Sequence, residues 1–188
     1  MRYRTGFSGG LTGELSVGHL LVRSAILYMQ KGYDQDINTI SFGIAKSFRI
    51  NYLVIPINIG YAQHLDGQGF QVFAGPYVGA LLGGNYTEHR YRILNAVSPN
   101  PQFISGRVEA IGSEYSPTQY LVRAADFGVQ GGIGYRYRGL LAQLEYSLGL
   151  QNTQPDTPPR TTVPFFIHHN QAFQLSLAYL FGLAHRAY

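Results

Sequence analysis

The sequence predicts an all-β protein, an antiparallel up-and-down transmembrane β-barrel with about seven strands in this chain. Three observations carry that prediction. Apolar residues recur with period two along segments of 11 to 16 residues. The connections between those segments alternate short and long. The face opposite the apolar one is built of Gly, Ser and Gln rather than Lys and Glu. Period two is the signature of a strand with two unlike faces.

The first segment runs from Thr5 to Leu15, with Phe7, Leu11 and Leu15 on one face and Ser8, Thr12 and Glu14 on the other. His19 to Gly32 places Leu20, Val22, Ile26 and Tyr28 together. Asn51 to Ala62 sets Leu53, Ile55, Ile57, Ile59 and Tyr61 in step, and Phe70 to Gly83 continues with Phe70, Val72, Ala74, Pro76 and Val78. Val122 to Tyr137 separates Phe127, Val129, Ile133 and Tyr135 from Asp126, Gly128, Gln130, Gly132, Gly134 and Arg136. Leu140 to Gln151 and Ala172 to Gly182 complete the set, with Leu144 on one apolar face and Leu175 and Leu177 on the other. Strands of this length exceed the usual five or six residues and suffice to cross a bilayer at a tilt, which takes about 9–11 residues.

Short links follow the first strand (Val17-Gly18), the third (around Asp66-Gly67) and the fifth (Arg138-Gly139). Long ones occupy Tyr33 to Ile50, Gly84 to Leu121 and Asn152 to Gln171. The middle of the first, Ile40 to Ala45, has the pattern to extend a strand. An antiparallel meander with all its long loops at one end is the outer-membrane barrel arrangement.

Composition decides which face meets what. Only 13% of the 188 residues are charged, against about 25% in a soluble domain. A water-facing strand surface would be rich in Lys, Glu and Arg. Small residues instead suit the crowded interior of a narrow barrel, which side chains just fill. The lumen-facing polar set is then Glu14, Arg23, Asp126, Gln130, Arg136 and Glu145, with Glu14 and Arg23 on adjacent strands and able to pair. The lipid-facing set is Phe127, Val129, Ile133, Tyr135, Leu144, Leu175 and Leu177. Tyr28, Tyr61, Tyr77, Tyr135, Tyr137 and Tyr146 fall toward strand ends, where aromatic girdles belong. On this reading Phe127→Arg costs about 2–4 kcal/mol if the position is near the midplane, and Gly128→Ser is far milder. A soluble lipocalin-like ligand-binding barrel is the alternative all-β reading.

The chain holds no cysteine, so disulfides and Cys-based metal sites are excluded. The formal charge of +4 suits a mildly basic surface or anionic lipid headgroups, and the basic residues do not cluster as nucleic-acid binding requires. Asp126-Phe127-Gly128 spells a kinase metal triplet, but no catalytic loop precedes it, and Asp126 and Phe127 alternate to opposite faces. The nearby glycines lie within a strand rather than between strand and helix, so they cradle no phosphate; they are expected to make room for side chains from across the barrel. His168 and His169 would point to opposite faces of a strand. His89 with Glu88, or His168 with Asp156, are the pairs an outer-membrane lipid-modifying enzyme would use, but no spacing supports that chemistry. Neither a catalytic site nor a metal or cofactor is expected.

Parity adds one expectation. Seven strands ending on the short-turn side imply that a complete barrel, with its even strand number, has eight, its first strand and a signal peptide lying upstream of this sequence. Ile40 to Phe48 is the alternative source of an eighth strand.

The ordered segments GFSGGLTGEL, LYMQKGY, NYLVIPINI, FAGPYVGALLGG, DFGVQGGIGY, LEYSLGLQN and FQLSLAYLFG resemble those of PorT-like outer-membrane β-barrel proteins of Bacteroidota. The resemblance covers nearly the whole chain, 1–188, as a single domain, apart from the long loops. It implies an eight-stranded barrel in the outer membrane of a Gram-negative cell. Eight strands leave an interior that side chains fill, so no wide pore is expected, and the chain reads as a structural anchor or surface interaction module presenting its long loops. The expected partners are outer-membrane lipid, lipopolysaccharide and a surface or secretion-complex protein, with no nucleic acid.

Overall fold

A computed structural model describes residues 2–38, 42–92, 102–110, 119–152 and 169–181. All its regular structure is strand: β1 (Arg2–Arg4), β2 (Ser8–Val17), β3 (Leu20–Asn38), β4 (Phe42–Ala62), β5 (Gly69–Arg92), β6 (Gln102–Ala110), β7 (Gln119–Val122), β8 (Ala125–Tyr137), β9 (Leu140–Asn152) and β10 (His169–Tyr179). They form one sheet. β1 and β2 both pair with β3 and act as one interrupted strand; the order then runs β3-β4-β5-β8-β9-β10, every pairing on this path antiparallel, while β6 pairs antiparallel with β5 off the path and β7 runs parallel to β6. This is the predicted seven-strand meander.

The short links are tight because their sequences permit it. Arg138 and Gly139 both adopt positive φ, 49° and 87°. Two successive residues of that kind match the right-handed twist of the strands they join. In the β4–β5 link, Gly67 has φ 75° and the Asp66 carboxylate accepts the Gln68 amide at 3.1 Å.

The long connections differ from the expectation of polar loops. Phe42 to Ile50 is no separate strand: it prolongs β4 and pairs with β3 as far as Asn38↔Gly43. It therefore supplies no eighth strand. Gly84 to Arg92 likewise prolongs β5, and β6 pairs with it from Gly84↔Val108 to Arg90↔Gln102. β3, β4, β5 and β6 thus project as a sheet beyond the ends of β8, β9 and β10. The signal was weak because β5 carries a bulge. Asn51 pairs with Gly83 while Tyr52 pairs with Leu81, so Leu82 is extra, and Gly83 takes φ 119°. One extra residue swaps the two faces. Below the bulge Gln71, Phe73 and Tyr77 point inward; beyond it Tyr86 and Glu88 do. A single period-two frame loses the strand at that point.

The sheet curls around a filled interior but is not closed among the described residues. β2 and β10 each lack a partner on one side. Their outward residues show it: Leu11 is 80% and Leu175 79% exposed, against 48% for Leu144 in the middle of the sheet. A slot of about 650 Å³ separates the two edges, bridged by Gln174 Nε2 donating to Ser8 Oγ at 3.0 Å.

Candidate functional site

The lumen is stacked in layers. At the short-turn end Arg23, from β3, donates through Nε to Glu14 Oε2 on β2 at 2.9 Å and pairs with the same carboxylate through Nη2. Its other contacts are Gln143 Oε1 at 2.8 Å, Gln71 Oε1, and the Phe73 ring, whose centroid lies 5.3 Å from the guanidinium. Arg136, from β8, donates to Glu14 Oε1 at 2.7 Å. One buried carboxylate thus serves two arginines. The pairing follows from register, since Glu14 stands directly opposite Arg23. Glu145 is buried on the same wall.

Above this layer Gln130 donates to Asn58 Oδ1 at 3.2 Å. Higher still, Lys31 Nζ lies 3.3 Å from Asp126 Oδ2 and between two rings, 5.5 Å from the centroid of Tyr52 and 5.2 Å from that of Tyr77. The Tyr77 hydroxyl donates to the same Asp126 oxygen at 3.4 Å. The top is apolar: Met29, Phe48, Ile50, Tyr52, Val54, Tyr77, Tyr86 and Val108 form one cluster, with Phe48 stacked on Tyr33 and Tyr86 at centroid distances of 4.7 and 6.0 Å. Glu14 thus holds Arg23 and Arg136, and Asp126 holds Lys31. Burying a charge is costly unless it is paired, and these ion pairs offset that cost for the groups they join.

The structure places all six sequence-predicted polar residues, Glu14, Arg23, Asp126, Gln130, Arg136 and Glu145, on this inner face. It brings the first two together with Arg136, and it adds Lys31, Tyr52, Gln71 and Gln143, which the sequence reading did not single out. Lys31 shares the strand parity of Arg23, but that face is mixed, and only the structure sets it against Asp126 and the two tyrosines.

Two expectations change here. Tyr77 belongs to no outer girdle; it is 2% exposed and points at Asp126. The inward glycines of β8 do not clear space for side chains from across the lumen. Gly128 pairs directly with Tyr77, and Gly132 with Phe73, on the neighbouring strand. A Cβ on Gly128 would meet the Leu148 carbonyl oxygen first and then Tyr77 Cε1 at 2.7 Å, and one on Gly132 would meet the Leu144 carbonyl oxygen first and then Phe73 Cζ at 2.8 Å. Each glycine makes room for the backbone on one side and an adjacent aromatic ring on the other. Gly128→Ser is therefore not mild.

The opposite face is a continuous apolar surface. Phe127, Val129, Ile133, Tyr135, Leu144, Leu175 and Leu177 are all exposed on it, with Leu53, Ile55, Ile57 and Ile59. Aromatics border it at the short-turn end, where His19 stacks on Tyr61 at 5.1 Å, Phe70 meets Tyr135 edge-on at 4.9 Å and Tyr179 meets Phe181 at 4.7 Å. Toward the other end stand Phe7–Tyr28 and Tyr146–Phe173. An apolar band between aromatic borders, around a polar lumen, is the transverse section of a transmembrane barrel. No helix among the described residues is long and apolar enough to cross a membrane.

Enzyme-like constellations do not assemble among the described residues. Glu88 faces inward to Lys46 at 3.3 Å, while His89 points out and stacks on Phe103 at 4.3 Å. His168 and Asp156 lie outside the described residues. No group of three His, Cys, Asp or Glu side chains is placed to hold a metal ion among the described residues.

A curled antiparallel meander with a polar interior and a girdled apolar exterior defines a β-barrel protein of the outer membrane. The chain belongs to the outer membrane protein beta-barrel domain family, whose model matches residues 1–154. The match stops short of β10, which nonetheless continues the same sheet in register with β9 from Gln171↔Leu148 to Tyr179↔Leu140. Neither the curated proteins nor the solved structures yield a match.

Proposed function

We propose that this protein is a rigid outer-membrane anchor that presents its projecting sheet and outer loops for interaction, conducts through no wide pore and carries out no catalysis. The filled lumen carries this reading. Ion pairs, an amide pair and an aromatic cluster succeed one another along the barrel axis, and that filling supports the absence of a wide pore. A small barrel has an interior just wide enough for side chains, and here they occupy it. Within the family, the ordered segments from GFSGGLTGEL to FQLSLAYLFG support a place beside the PorT-like members. Its partners are then outer-membrane lipid, lipopolysaccharide and a surface or secretion-complex protein.

β2 and β10 both run toward the short-turn end, so antiparallel closure takes an odd number of strands between them, and one gives the even total of eight.

Reconstitution in planar bilayers tests the pore claim: no stable conductance steps are expected, and steady channel openings would refute it. The lipid-modifying alternative has its own readout. Lipid A from cells with and without the protein should give the same mass spectrum, and a mass difference would make the protein an enzyme.

A further inference from the structure

We infer that the outer end of the sheet binds a phosphorylated glycolipid of the outer leaflet through a row of three arginines, Arg4, Arg49 and Arg107. The inference rests on the proposed outer-membrane role and deepens it by assigning the glycolipid partner a site. The row is set by register: Arg4 pairs with Gly32, Gly32 with Arg49, Arg49 with Asn85, and Asn85 with Arg107. Residues paired across a sheet share a face. The inward positions next to this row are filled by Phe48, Tyr86 and Val108, so the row points outward, and all three arginines are exposed.

The arginines occupy alternate strands, about 9.5 Å apart, two inter-strand spacings. Nothing charged stands between them. Gly32 lets Arg4 lie across β3: a Cβ there would meet Arg4 Cβ at 3.3 Å. Asn85, exposed, adds a neutral amide. Arg4 is shared with Asp34 at 3.5 Å and with Ser47, whereas Arg49 and Arg107 close no ion pair among the described residues. Asp34 and Glu109 are the acidic residues on this face within two positions of the row along its strands. A row of like charges contributes nothing to folding, yet it forms a fork-like donor array that matches phosphate oxygens.

Depth selects the ligand. On β4 the outward apolar run from Tyr61 to Leu53 rises about 20 Å at a tilt near 40°, and Asn51 marks the top of a band about 25 Å tall. Arg49 stands one outward position further, about 5 Å beyond the hydrocarbon and level with headgroups. The cations thus stand just above the apolar surface, separated from it by one amide pair, Gln30 Nε2 donating to Asn51 Oδ1 at 3.3 Å. An amphiphile with acyl chains below and phosphate above meets both, whereas an acidic protein would use only the arginines.

The test is native mass spectrometry of the detergent-folded protein titrated with diphosphorylated lipid A and with the same lipid dephosphorylated, comparing wild type with R49Q/R107Q. Wild type should retain the phosphorylated form preferentially, and each arginine lost should weaken that preference roughly tenfold. Equal retention of the two lipids, or an undiminished preference in the double variant, overturns the proposal. Heat-modifiable gel mobility, read in parallel, reports whether the barrel forms at all, so failure of the barrel assignment is seen separately from failure to bind.

Discussion

Ile57→Arg is the substitution on which a membrane-facing and a water-facing wall differ most. Ile57 lies on β4, midway between Leu53 and Tyr61, and is 53% exposed on the outward face. Four residues separate it from each end of the run, about 13 Å along the strand and about 10 Å in height. That puts it near the bilayer midplane, where an arginine on the lipid face of a barrel costs about 2–4 kcal/mol. The same change on a water-washed strand stays within about 0.5 kcal/mol, because a half-exposed surface site has little to lose. The assay is reversible urea unfolding in lipid vesicles, with matched slopes for wild type and variant so that the midpoint shift reads as stability. Phe127→Arg is the internal control. Phe127 sits ten residues up β8 from Tyr137, about 25 Å in height, so it lies at the outer edge of the band. Its cost should fall to about 0–1 kcal/mol, below the midplane figure the sequence suggested conditionally. Equal and negligible costs at Ile57 and Phe127 would refute the assignment of this face to lipid.

Three further outcomes are expected. A double-mutant cycle on Glu14→Gln and Arg23→Gln should show coupling of about 1–3 kcal/mol, since both side chains are buried and hydrogen-bonded to each other; additivity would mean that the pair contributes nothing. Gly128→Ser should destabilise by about 1–3 kcal/mol through overpacking against the Leu148 carbonyl and the Tyr77 ring, read as a shift of the urea midpoint; a neutral Gly128→Ser would show that the site is not closed against a Cβ. Cysteines at Thr12 and Ser176, inward positions on the two edges, should stay unbridged under oxidation if a strand separates β2 from β10, because a disulfide needs Cα atoms within about 7 Å. Their ready cross-linking would refute closure by an intervening strand.

The division between strand and turn was legible because period two is a property of the chain itself. Alternation at Leu53, Ile55, Ile57 and Ile59, or at Phe127, Val129 and Ile133, survives no other regular backbone. The scarcity of Lys and Glu on the opposite face turned that alternation inside out, from a soluble barrel to a membrane one. Glu14 facing Arg23 could be anticipated because a two-residue link fixes their register. Legibility failed where register is set at a distance. The Leu82–Gly83 bulge exchanged the faces of β5, so Gly84 to Arg92 resembled a loop. Tyr77 was assigned to a girdle by its residue type although its own strand parity turns it inward.

By itself the sequence determined which residues alternate, how many strands cross and which face avoids charge, because those depend on neighbours two positions apart. Only the tertiary structure decided which side chains share a layer: two arginines on Glu14, Lys31 between two tyrosines, aromatic rings laid over Gly128 and Gly132, and three arginines in one outward row. Those contacts join residues from 9 to 122 positions apart. Inter-strand register brings them together, and register is fixed by the sheet as a whole rather than by any one of its strands.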